Sequence, residues 1–246
     1  HKALIVGSSP TKPTMKQTDI YIPTCLSQQI LTEGLHQEFR LFVFMKMSCS
    51  GKTRVDAQYV NKACTTLNIG RSTFYRQLAR LRQLKWVHKS KRSGLYFIKG
   101  FARLLKEKDL KGQTATYFVI EWFDRFQAFL SGSVIGYLCK HRRKAERKKG
   151  RSIKLSPVAT SALASILSLP ESTAYLLKKK ASQYNFITKQ RWLKETGILS
   201  FMRKEISNSY PEYAHRLINR CGMLYWSMPD LCCEELKYKK KRYRCG

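Results

Sequence analysis

Apolar and polar positions are most sharply organised between residues 39 and 98. Residues 39–47 are apolar on nearly every side, broken only by Arg40 and Lys46, and predict a buried helix. Residues 48–54 form a polar loop. Asp56 then has the residue type of an N-cap, and Val60, Ala63, Cys64 and Leu67 follow at helical spacing. Asn68, which tolerates a left-handed backbone, and Gly70 mark a tight turn. Residues 71–84 predict a further helix with Phe74, Leu78, Leu81 and Leu84 on one face and Ser72, Thr73, Arg76 and Arg80 on the other. Residues 86–88 and 95–98 are strand-like, and the basic turn 89–94 separates them.

Elsewhere the pattern is weaker. Residues 1–33 are rich in Ser, Thr, Pro and Gln and read as an arm. Residues 101–109 predict a short helix, 115–122 a strand and 124–149 a long helix. A shift of 100 residues then brings back much of the first pattern. Leu67, Ser72, Thr73, Tyr75 and Lys89 recur as Leu167, Ser172, Thr173, Tyr175 and Lys189, and Trp86-Val87 becomes Phe186-Ile187. Ser156 and Pro157 read as a cap and a first-turn proline. Ala174, Leu177, Ala181 and Tyr184 make the apolar stripe of the second copy, with Lys178, Lys179 and Lys180 on its remaining surface. The copy departs from the first in two places: Leu177-Lys178 replaces Gln77-Leu78, and Glu171 replaces Arg71. Residues 191–194 suit either a strand or a helix.

Helix, helix, tight turn, helix and basic hairpin is the order of a winged helix. Residues 67–89 resemble the helix-turn-helix of bacterial and phage regulators, whose third helix opens with a run like Arg71-Ser72-Thr73-Phe74-Tyr75-Arg76. The resemblance implies a mainly α fold with short β-hairpin wings, two winged-helix domains in tandem. The expected organisation is an N-terminal arm (1–33), a first domain (34–112), a second domain with the long basic helix (113–236) and a basic C-terminal tail (237–246). Two such domains in a basic chain resemble plasmid and phage replication initiators or mobile-element regulators, and imply recognition of double-stranded DNA. A second copy of the chain, or replication or transcription proteins, would be further partners. The implied location is the cytoplasm of a bacterium, on the nucleoid.

Charge points the same way. Lys and Arg total 47 against 16 Asp and Glu, a net of +31, which is retained where the partner is a polyanion. In a helix-turn-helix the third helix enters the major groove, so Arg71, Ser72, Thr73, Tyr75, Arg76 and Arg80 would face DNA. Arg76 is the candidate base reader, since a guanidinium can pair with both acceptors of guanine. Tyr75 and Tyr175 could instead pack beneath their helices. Lys89, Lys91 and Arg92 would lie along phosphates. The long helix ends in a basic run in which Arg142, Arg143, Lys144, Arg147, Lys148, Lys149 and Arg151 exceed what a helix dipole needs. Ser172, Thr173, Tyr175, Lys178, Lys179, Lys180, Lys189 and Arg191 are the candidates of the second copy, the three lysines having a solvated face as their alternative. Wrapping of nucleic acid without sequence choice, as in a packaging component, is the competing class. An RNA module is disfavoured, because A-form RNA closes its major groove to a helix.

Catalytic and metal readings find little support. Gly51-Lys52-Thr53 lacks the glycine a phosphate loop needs five residues earlier, where Lys46 stands. The histidines are scattered and the acidic residues form no cluster, so no enzyme activity, cofactor or metal is expected. Cys221, Cys232 and Cys233 offer three thiols, but adjacent cysteines seldom share one zinc. With no signal peptide visible, the eight cysteines read as reduced thiols. The apolar runs are broken by Lys, Arg or Gln short of a membrane span, so no membrane partner is expected.

Overall fold

The computed structural model describes residues 19–209, 211 and 216–240. In chain order its elements are β1 (Ile20–Pro23), α1 (Thr24–Thr32), α2 (His36–Ser48), β2 (Lys52–Thr53), α3 (Ala57–Leu67), α4 (Arg71–Gln83), β3 (Val87–Lys89), β4 (Tyr96–Ile98) and α5 (Phe101–Glu107). There follow β5 (Thr114–Phe118), a 3₁₀ turn Ile120–Arg125, α6 (Phe126–Lys148), β6 (Ser156–Pro157), α7 (Thr160–Leu167), α8 (Glu171–Gln183) and β7 (Ile187–Gln190). The chain continues through β8 (Leu193–Leu199), a 3₁₀ turn Ser200–Met202, α9 (Arg203–Ser209), β9 (Leu217–Arg220), β10 (Met223–Ser227), β11 (Leu231–Glu234) and β12 (Tyr238–Lys240). The fold is mixed α/β, since the described helices are accompanied by four three-stranded antiparallel sheets rather than by two hairpins alone.

The same succession occurs twice. In the first unit α2 leads to β2, α3, α4, β3 and β4, and the sheet order is β2-β4-β3. In the second, α6 leads to β6, α7, α8, β7 and, after an insertion, β11, in the order β6-β11-β7. α4 and α8 begin and end exactly 100 residues apart, and the alternation of buried and exposed positions over 65–81 repeats at 165–181. Both turns before these helices use one left-handed residue, Asn68 (φ 47°) and Ser168 (φ 51°). Asp56 caps α3 as its residue type predicts, accepting from the Tyr59 N–H at 2.8 Å. Trp86 packs edge-on against Phe39 and Phe42 of α2, and its counterpart Phe186 packs edge-on against Phe129 of α6. Each first helix therefore supplies an aromatic floor for its own β3 or β7, and burying each ring stabilises by roughly 1.5–3 kcal/mol.

One apolar cluster runs through both units, from Ile22 and Phe39 to Phe186 and Leu236. The sheet β1-β5-β12 contributes to it by drawing together the two ends of the described chain, Ile22 and Tyr238 both lying opposite Thr116. Beneath that sheet a buried hydroxyl chain links Thr24, Thr116 and Ser133 at 3.2 and 2.7 Å. Tyr238 donates to the Ser133 carbonyl at 2.9 Å, and a Cβ on Gly136 would collide with its hydroxyl. The glycine is what lets the last strand lie against α6.

Several expectations are corrected by these contacts. Of the supposed arm, residues 20–32 form β1 and α1, because Ile22, Leu26, Ile30 and Leu31 make an apolar stripe that the intervening Ser, Thr and Gln conceal; residues 1–18 lie outside the described residues. Of the supposed basic tail, residues 238–240 are β12, since pairing with β5 satisfies their backbone whatever their charge; residues 241–246 lie outside the described residues. Ser156-Pro157 is not a helix start but β6, paired with β11, and α7 begins at Thr160 after Ala159. Tyr184, counted in the apolar stripe of the second copy, is 39% exposed under the Arg125 guanidinium. Residues 193–194 open β8, whereas the strand that closes the second unit is β11, beyond an insertion spanning residues 191–230.

Candidate nucleic-acid interface

α4 owes its orientation to Phe74, Leu78 and Leu81, all nearly inaccessible, which seat it beside α2. The opposite side carries Arg71, Ser72, Tyr75, Arg76 and Arg80, all exposed, with Thr73 half-buried at the edge. No carboxylate occurs on this helix, whereas it has four arginines. Arg71 donates to the Asn61 side chain of α3 at 2.8 Å, and Arg80 donates to Gln83 at 3.2 Å. Tyr75 is 54% exposed, so the alternative of packing beneath the helix is not taken. Its ring lies 5.4 Å from that of Phe74 on the same helix, at 85°.

The β3–β4 hairpin extends the cationic surface. Lys91 and Arg92 are exposed at its tip, where Gly94 takes φ 66°, and Lys89 lies 5.6 Å from the Tyr96 ring. Lys52 and Thr53, considered for a phosphate loop, are strand residues paired with Phe97 and Tyr96.

The second unit repeats the geometry with different chemistry. Ser172 is exposed, Thr173 is half-buried and Tyr175 is 48% exposed with the Lys189 ammonium 5.9 Å from its ring. Where α4 has Arg71 and Arg76, α8 has Glu171 and Leu176, the leucine 52% exposed. Lys179, Lys180 and Arg191 are exposed. Lys178 is not: it is 1% exposed, donates to the Val158 carbonyl at 2.6 Å and pairs with Asp230 at 2.8 Å. It occupies the position of Leu78 and is removed from the set that could meet DNA. The apolar phase does not shift between the copies; the polar residue of the pair moves by one position, from Gln77 to Lys178.

The basic end of α6 divides in the same way. Lys144, Arg147 and Lys148 are exposed. Arg142 is exposed and donates to the Pro157 carbonyl at 3.1 Å. Arg143 is half-buried, bonded to the Lys154 carbonyl at 3.2 Å and ion-paired with Glu234, so it ties α6 to β11 rather than facing outward. Lys149 and Arg151 each stand 3.7 Å from Glu146. Sequence periodicity assigned all seven cations alike, because the two carboxylates that claim three of them are not both nearby in the chain.

The three cysteines weighed for zinc are dispersed in environment: Cys221 is exposed in the β9–β10 turn, Cys232 is buried and Cys233 half-buried on β11. Among the described residues no three metal-binding side chains gather. Burial pushes the Cys139 and Cys232 thiols up to about 12 and about 11, which keeps both as uncharged core residues at neutral pH. Among the described residues no helix is long and apolar enough to cross a membrane. No protein-family model, no curated protein and no solved structure matches the chain. Sequence reasoning did not assign Trp192, Arg220 or Tyr225 of the insertion to an interface; the first two are exposed and Tyr225 is half-buried. For Trp192 the available signal was the ambiguous run at 191–194.

Proposed function

We propose that the two units are winged helices and that the chain binds duplex DNA through α4 without chemical catalysis, as a replication initiator or regulator of a plasmid, phage or mobile element. The observation that carries this reading is the outward face of α4. Its exposed arginines and hydroxyls project from a helix preceded by a left-handed turn and followed by a cationic hairpin. A helix of this width fits the major groove, where Arg76 would read a base and Ser72 and Thr73 would hold phosphate. Lys89, Lys91 and Arg92 would add affinity without sequence information. In α8, Leu176 and Glu171 replace the cations that α4 presents, so the first unit is the principal reader and the second a weaker contact. Such a protein would act in the cytoplasm, on the nucleoid.

Selection from a random duplex library by the purified chain tests this. One short sequence should be enriched, and log affinity should fall with log salt at a slope of roughly −7 if about eight phosphates are neutralised. Equal retention of all sequences would favour packaging, and a slope shallower than about −3 would mean that most of the basic surface meets something other than DNA.

A further inference from the structure

The insertion between β7 and β11 has no counterpart of its size in the first unit, where residues 90–95 join β3 and β4. It forms its own sheet, β8-β10-β9. Leu217 and Leu224 are buried on one face of it. Side chains alternate between faces, so Ile218, Tyr225 and Glu195, which lie in register, belong to the other. There a cleft of about 460 Å³ opens, lined among others by Arg191, Trp192, Arg220 and Tyr225. Its size falls within the roughly 300–1,000 Å³ of small-ligand sites.

The cleft is lined by aromatic and cationic residues. Trp192 is 38% exposed although its backbone is held, its carbonyl accepting from the Met228 N–H at 3.0 Å. The same indole borders a second, apolar groove of about 710 Å³ between α6 and α7, beside Tyr137, His141 and Arg142. An exposed ring with concave surface on two sides offers flat apolar area, and Arg191 and Arg220, both exposed, line the same cleft. Glu195 is the one carboxylate in register on this face among the described residues of the sheet. A planar ring that carries negative charge on a flexible chain matches such a site. In a duplex both faces of each base are already stacked, so only an unpaired nucleotide can lay its ring on Trp192 or Tyr225. Arg191 and Arg220 would take its phosphates.

We propose that this cleft binds an unpaired nucleotide of a single-stranded nucleic acid. The site is separate from α4 and does not depend on α4 reading duplex.

The test measures binding of the full chain to fluorescent dT15, U15 and a duplex of the same length, at one salt concentration because cationic surfaces make affinity salt-dependent. Trp192→Ala and Tyr225→Ala should each weaken single-strand binding at least about fivefold, the low end of what loss of one stacked base costs. Trp192→Phe should keep it, and duplex binding should not change in any of the three. The tighter of dT15 and U15 identifies the source of the strand. Loss of duplex binding alone would remove the reading of α4 and leave this one intact. Unchanged dT15 and U15 affinity in folded Trp192→Ala would overturn it. So would an equal loss on duplex. Photocrosslinking of wild-type protein to an iodouracil-substituted strand removes any dependence on variant folding. Attachment at Trp192 or Tyr225 supports the cleft, whereas attachment confined to residues 71–92 overturns it.

Discussion

Positions 78 and 178 sit on the same turn of α4 and α8 and are equally shut from solvent, yet one is leucine and the other lysine. The helical phase decides that each must be buried. What may be buried there is decided by the neighbour opposite. In the second unit the segment entering β11 brings Asp230 to the Lys178 ammonium, and the Val158 carbonyl takes a further hydrogen bond. A buried ammonium is tolerated because it is both paired and hydrogen-bonded. The outward faces differ in the opposite sense, cations on α4 giving way to Glu171 and Leu176 on α8. The repeat has kept its backbone while its inner and outer chemistry diverged.

The largest effect that would break this comparison is at position 178. Lys178→Ala leaves Asp230 without its partner and opens a cavity, and should lower the unfolding free energy by about 3 kcal/mol, at the low end for a broken buried pair because Asp230 retains some solvent access. Leu78→Ala should cost about 2–5 kcal/mol from cavity formation alone. The two are separated by a double change: Lys178→Met with Asp230→Leu should recover to within roughly 1 kcal/mol of wild type, since an apolar pair of similar volume can replace a buried ion pair. Denaturant midpoints would measure all three. A loss under about 1 kcal/mol for Lys178→Ala would show that the pair does not hold the second unit.

A smaller effect tests the outer faces. Arg76→Ala should remove about 1–3 kcal/mol of discrimination between the selected duplex and a scrambled one, as loss of a bidentate base contact does. Leu176→Ala, at the equivalent position, should change the same quantity by less than about 0.5 kcal/mol, as surface substitutions usually do. Competition binding at fixed salt measures both, and equal losses would make the two units equal readers.

The smallest effect lies where the units meet. Burial at the start of α2 holds the His36 pKa below the usual imidazole range, with Glu38 acting against this and the cations Lys180 and Arg40 adding to it. The unfolded chain therefore takes up a proton before the folded one does. The associated stability is complete above the unfolded value near 6.5 and is lost as pH falls through it. Relative to His36→Gln, wild type should lose less than about 1 kcal/mol between pH 7.5 and 5.5. Lys180→Ala should reduce that difference, as α8 bears on α2 through this charge. A wild-type stability that rises relative to His36→Gln as pH falls would refute the assignment.

Much of the repeat was legible in the sequence. α4, α8 and the long α6 follow from apolar spacing, the Asp56 cap from its residue type, and the left-handed turn from Asn68, because each depends on residues within a turn or two of one another. The candidate interface on α4 was legible for the same reason: once Phe74, Leu78 and Leu81 face inward, Arg76 and Arg80 must face outward.

Pairing between distant segments was not legible. β6 has two residues and β12 three, too short for periodicity, and each exists because β11 or β5 lies beside it. The fate of the cations was equally hidden, since Lys178 and Arg143 look like any other basic residue until Asp230 and Glu234 arrive from the far side of the insertion. The sequence by itself determined the helices α2 to α6 and α8, their buried stripes and an excess of positive charge, all local or additive properties. Only the tertiary structure decided which charges are spent inside and which strand closes each sheet, because those depend on contacts whose partners the chain keeps far apart.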